Sequence, residues 1–239
     1  MLSGTKTLII GMGEIGNALH NLLARQYITI GIDKAGDTTI EPDIMHICFP
    51  YSDNFVEYVK QYIDKYRPDV TVIHSTVPVG TTLACGENVF HSPVKGKHPN
   101  LEESLKKFKK PIGGDDKILG MDLAVYFINA NIPAYWSGYS AKNTEFAKIM
   151  STTRYGWEII FCKGMKDLCD QRGLEFDFCY SQWNEDYNDG YREMNDYKFT
   201  RSLLKPVTGK IGGHCVIQNC ELDDNEFTKL IKTFNESYD

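Results

Sequence analysis

Apolar residues recur along the first 140 positions in two alternating rhythms. Residues 6–10 (K-T-L-I-I) form a short apolar run that predicts a buried strand, and residues 17–25 carry the apolar spacing of a helix. Residues 27–32 alternate as a second strand that ends at Asp33. The same alternation predicts strands over 43–49, 70–74, 89–91 and 134–136, and helices over 55–66 and 121–129. The charge run 106–110 reads as a solvated helix end. Strand following helix in this way predicts an α/β fold with a doubly wound parallel sheet. From 141 to 172 the pattern changes to one broad helical stripe with Gly173 as its stop, and 177–192 and 226–234 predict further helices. The expected organisation is a sheet domain over 1–139 and a smaller all-α domain over 140–239, joined by a long central helix. So long an apolar stripe calls for a partner, and a homodimer through 141–172 is expected.

The junction between the first strand and helix carries the first chemistry. Gly11-Met12-Gly13-Glu14-Ile15-Gly16 is a G-x-G-x-x-G run set between a strand and a helix, with Asp33 closing the second strand. In that context the glycines permit a tight turn, close approach of a pyrophosphate, and close helix–strand packing. The helix N-terminus adds oriented N–H donors. Asp33 suits the ribose hydroxyls and repels a 2′-phosphate, so the expected cofactor is NAD rather than NADP. Loops after the other strands gather at the same sheet edge, which makes Pro50, Tyr51, Ser75 and Thr76 candidate cofactor neighbours. Thr76 serves equally well as a helix cap. Together these residues define a Rossmann dinucleotide-binding domain.

A second candidate lies near the other end, at Lys210-Ile211-Gly212-Gly213-His214-Cys215. Two glycines give a ligand access to Cys215, and Lys210 and His214 favour the reactive thiolate. Lys148 and Thr152 are four residues apart, on one face of the long helix. By itself Lys148 reads as a solvated surface lysine. Lys95, Lys97 and His98 form a basic loop suited to an anionic group or to solvent.

Composition narrows the classes. The chain is 42% hydrophobic and 24% charged, as in ordinary globular proteins, and its net charge of -6 argues against nucleic acid as a partner. No apolar run is long enough for a membrane span, and the N-terminus lacks a signal-peptide pattern. Seven cysteines without a framework spacing indicate reduced thiols, so a cytoplasmic protein is expected. Neither C-x-x-C nor H-E-x-x-H occurs, and no metal site is expected.

G-M-G-E-I-G, S-T-V-P-V-G-T-T, the E-F-A-K helix and G-G-H-C occur in this order. On these motifs the chain resembles the UDP-glucose/GDP-mannose dehydrogenase family, within the wider 6-phosphogluconate dehydrogenase-like superfamily. The resemblance implies an NAD-dependent oxidoreductase that oxidises an alcohol of a sugar nucleotide, with Cys215 as nucleophile. It places Lys148 near the reacting oxygen and gives Thr76 the water network beside the nicotinamide. His214, Thr152 and Asn219 become substrate-side residues by the same likeness. Three positions depart from the family pattern. Val94 follows Ser92-Pro93 where the family has glutamate, Thr152 stands for an asparagine, and Asn219 stands for an aspartate. The expected substrate therefore widens to a sugar, a sugar nucleotide or a small hydroxy acid. The alternative is an NAD-binding protein with a regulatory or structural role and no turnover.

Overall fold

The computed structural model describes residues 4–33, 36–213 and 215–238. Strand β1 (Lys6–Ile10) leads through the glycine turn into helix α1 (Glu14–Leu23), and β2 (Ile28–Ile32) returns beside β1. Then follow β3 (Ile44–Ile47), α2 (Phe55–Tyr66), β4 (Val70–Ile73), the short α3 (Thr81–Cys85) and β5 (Val89–His91). These five strands make one parallel sheet in the order β2-β1-β3-β4-β5. Strand side chains alternate between faces. Ile9 therefore joins Leu19, Leu22 and Leu23 of α1, while Leu8 and Ile10 join Phe55 and Val59 of α2. Helices cover both faces, which is why the strands read as continuous apolar runs.

Beyond β5 the chain forms α4 (Leu101–Lys107), β6 (Lys110–Ile112), α5 (Lys117–Asn129) and β7 (Ala134–Trp136). β6 and β7 pair in parallel, and an antiparallel bridge between His91 and Gly113 joins β6 to β5. The charge run at 106–110 is only partly a solvated helix end. Lys106 and Lys107 end α4, but Lys110 opens a strand and is 2% exposed. Three-residue strands between lysines lack the length that makes periodicity visible.

The long helix α6 runs Ala141–Arg172, as its apolar spacing predicts. After it come a π-helical turn (Asp177–Gln182), α7 (Trp183–Glu193), a 3-10 turn (Tyr197–Phe199), α8 (Val216–Cys220) and α9 (Glu226–Glu236). Asn225 starts α9 with a capping box, accepting from the Phe227 and Thr228 amides. The chain divides into two compact units, Met1–Lys148 and Ile149–Asp239, with the boundary inside α6. In the second unit most of the α6 stripe is covered by its own chain. Ile160 packs with Val216, Cys220 and Ile231, with Trp157 alongside, while Cys162 and Cys169 pack with Phe176 and Tyr180. Phe161 stays exposed.

Candidate functional site

The glycine turn sits where strand order reverses, between β1 and β3. Such a reversal opens a crevice at the carboxyl edge of the sheet. Gly11 has φ +96°, and a Cβ there would lie 2.8 Å from the Phe49 amide nitrogen. A Cβ on Gly16 would lie 2.0 Å from the Gly11 carbonyl oxygen. Neither position admits another residue without moving backbone. Gly13 is the opposite case, because a Cβ there meets nothing within 4 Å. It caps α1 without a side-chain hydrogen bond to the first-turn amides. Two closed glycines and one open one are what a pyrophosphate on the α1 N-terminus requires.

Asp33 is exposed at the end of β2 and accepts the Met12 amide at 2.9 Å. The Met12 side chain lies over Gly31, where a Cβ would come 2.2 Å from its sulfur. Ile15 packs against the core behind the turn. Glu14, at the first helical position, pairs with His98 Nδ1 at 2.5 Å. This contact brings the basic loop to the glycine turn. Its other members go elsewhere, with Lys95 Nζ donating to the Lys109 carbonyl and the Lys97 amide donating to Ser104. After β3, Pro50 is exposed and Tyr51 packs at 5.6 Å from the Phe55 ring. Ser75 Oγ donates to the Phe49 carbonyl at 2.5 Å, tying the loop after β4 to the loop after β3. Thr76 is half-buried beside it.

A residue that sequence reasoning passed over organises this loop. Glu145 of α6 is fully buried, and its carboxylate accepts the Gly80 amide (2.6 Å), the Thr82 amide (2.8 Å) and the Thr82 hydroxyl (2.6 Å). It stands three residues before Lys148 in the E-F-A-K motif, so the motif that marks the lysine also marks this carboxylate. His91 adds a second tie, with Nε2 donating to the Ser75 carbonyl at 3.1 Å and Nδ1 taking the Thr144 hydroxyl at 2.9 Å. Burial holds its imidazole down at about 3, with Lys110 and Lys148 adding to the effect. The loop that carries Ser75 is thus braced by the Phe49 carbonyl, by His91 and, further along, by Glu145.

Behind the sheet edge lies a chain of buried polar groups. Thr7, Tyr126, His46, His74, the Ser92 carbonyl and Lys110 link in sequence, at 2.9, 3.1, 2.8 and 2.9 Å as far as Ser92. Lys110 Nζ donates to the same carbonyl. That acceptor sets every tautomer, because His74 must donate from Nδ1 and so accepts at Nε2. His46 then donates from Nδ1 and accepts the Tyr126 hydroxyl at Nε2. Burial keeps both imidazoles neutral, with His46 down at about 3, and lowers the Lys110 ammonium to about 7.

The remaining candidates lie in the second unit. Cys215 is half-buried and immediately precedes α8. The loop before it is held by Lys163, whose Nζ donates to the Val207 (2.7 Å) and Gly209 (2.5 Å) carbonyls, and by Asn235, which accepts the Ile211 amide at 2.6 Å. Lys210 is exposed, and His214 lies outside the described residues. Asn219 donates from Nδ2 to Thr152 Oγ1 at 3.1 Å, so two of the positions that depart from the family pattern are hydrogen-bonded to each other. The third, Val94, is buried in the core of the first unit. Among the described residues no cluster of potential metal ligands occurs, and no helix is long and apolar enough to cross a membrane.

No protein-family profile and no curated protein matches the chain. Solved structures do match in fold. A UDP-D-ManNAc dehydrogenase from Pyrococcus horikoshii superposes with a TM-score of 0.75 at 16% identity, covering 97% of this chain and 68% of that one. A UDP-glucose dehydrogenase from Pyrobaculum islandicum gives 0.73 at 16% identity, covering 98% of this chain and 68% of that one. A 3-hydroxyisobutyrate dehydrogenase from Mycobacterium tuberculosis, solved with L-serine, gives 0.70 at 14% identity, covering 99% and 94%. The fold is therefore the one shared by sugar-nucleotide and hydroxyacid dehydrogenases, a mixed α/β architecture with a long central helix.

Proposed function

We propose that this chain is an NAD-dependent oxidoreductase acting on an alcohol of a sugar, a sugar nucleotide or a small hydroxy acid. The observation that carries the reading is the glycine turn, closed at Gly11 and Gly16, open at Gly13 and followed by the Asp33 carboxylate. Bound at this turn, NAD supplies the hydride acceptor. The α1 amides and Gly13 receive the pyrophosphate, and Asp33 exchanges its Met12 contact for the adenosine ribose. Pro50, Tyr51, Ser75 and Thr76 line the way toward the reacting end. Lys148 Nζ takes the substrate hydroxyl proton, either directly or through a water held by Thr76.

In this reading Cys215 is the nucleophile that captures the carbonyl product, with His214, Thr152 and Asn219 on the substrate side. Capture gives a thiohemiacetal, which becomes a thioester only by passing a second hydride to a second NAD, and release of that thioester needs an activated water. Asn219 is an amide whose Nδ2 is committed to Thr152, and Val94 is apolar and buried, so neither can deprotonate water. The favoured outcome is one oxidation that stops at the carbonyl, or slow turnover with an adduct on Cys215. The test is NADH formation over a panel of hydroxy acids, sugars and UDP-sugars, followed by mass spectrometry of the protein. One NADH per substrate is expected. Rapid release of two NADH per substrate without adduct would refute the single-oxidation proposal, and NAD binding with no turnover on any alcohol would refute the enzyme. Replacing Asp33 with Ala should erase the preference for NAD over NADP.

A further inference from the structure

Helix α5 has an outer face that no other described residue covers. Its inner positions Gly120, Leu123, Ala124, Tyr126 and Phe127 are buried against the sheet. Outward, Ile118 is 73% exposed, Met121 51%, Val125 51% and Ile128 53%. Steps of three, four and three residues place these four on a narrow seam, the a and d positions of a heptad. A helix that only covers a sheet needs polar residues there. Together the four leave roughly 400 Å² of apolar surface in water, comparable to the largest patch on a typical monomer.

The residues beside the seam indicate what covers it. With Ile118 and Val125 at a, Lys117 falls at g and Asp122 at the following e, and both are exposed. In a parallel pair of identical helices, g of one faces the next e of the other. Lys117 then meets the second copy's Asp122, and the two-fold axis makes the pair twice. An antiparallel pair sets g against g and e against e, so Lys117 meets Ala124 and Asp122 meets Asn129, with no opposite charge for either. We propose that α5 is a dimer interface in which two copies of this chain pack their Ile118–Met121–Val125–Ile128 seams in parallel about a two-fold axis. Since the inner face already holds α5 in place, pairing adds little ordering cost. A standard interface covers about 800 Å² per partner, so the seam makes its apolar centre and Asp115, Lys117, Asp122 and Asn129 its polar rim.

Sedimentation at micromolar concentration is the test, with far-UV circular dichroism as a control for folding. The unsubstituted chain is expected to be a dimer, and Val125→Asp a folded monomer. Lys117→Glu should raise the dimer dissociation constant about tenfold, by removing two attractions and adding two repulsions. Lys117→Glu combined with Asp122→Lys should restore it. Ile118→Cys should cross-link to itself on mild oxidation, and the unsubstituted chain should not. A monomeric unsubstituted chain, or a dimer that survives Val125→Asp, overturns the proposal. Cross-linking only when Ile118→Cys is combined with Ile128→Cys overturns the parallel arrangement.

Discussion

Lys110 shows how one side chain can carry a stability cost that the sequence hides. Its amine is buried, donates to the Ser92 carbonyl, and is lowered by burial from 10.5 to about 7. Between those values the unfolded chain binds a proton that the folded chain does not, so stability rises with pH across this window. Below about pH 7 the burial penalty is present in full. Lys110→Met should therefore stabilise the protein by about 1–3 kcal/mol near pH 6, with the gain shrinking toward pH 10 in urea unfolding. The Ser92 carbonyl keeps its bond from His74, so little is left unsatisfied. His46 and His91, held at about 3, act in the same sense at lower pH and remove stability as pH falls below about 6.5. The hydrogen-bond chain also predicts the Nδ1–H tautomer for both His46 and His74, which nitrogen-15 chemical shifts would read directly.

At the scale of elements, α6 and the loop into α3 are joined by one carboxylate. Glu145 satisfies two amides and a hydroxyl at Gly80 and Thr82, all of which lose their acceptor in Glu145→Ala. The expected loss is about 2–4 kcal/mol in chemical unfolding, with weaker NAD binding because the Ser75–Thr76 loop slackens. An unchanged midpoint would show that water replaces the carboxylate without penalty. The glycine turn makes a similar demand on geometry. Gly16→Ala sets a methyl against the Gly11 carbonyl and should abolish NAD binding, as titration calorimetry would report.

For the whole molecule, ligand linkage gives a direct check. NAD at about a hundred times its dissociation constant should add about 2.7 kcal/mol of stability, and Gly16→Ala should show no such rise in thermal unfolding. The sequence by itself determined the doubly wound sheet, α6 from end to end and the glycine turn, because each is written in local terms. A buried strand is an apolar run, an amphipathic helix is a repeat of 3.6, and a phosphate turn needs glycines at set spacings. Only the tertiary structure decided that Lys110 lies inside, that Glu145 braces the loop after β4, and that Asn219 meets Thr152. It also decided that the α6 stripe is mostly covered by α8, α9 and the π-helical turn, while the α5 seam is left open. These facts depend on which residues distant in sequence become neighbours. Local periodicity records that a face is apolar, but what covers the face is decided by the packing of elements far apart in the chain.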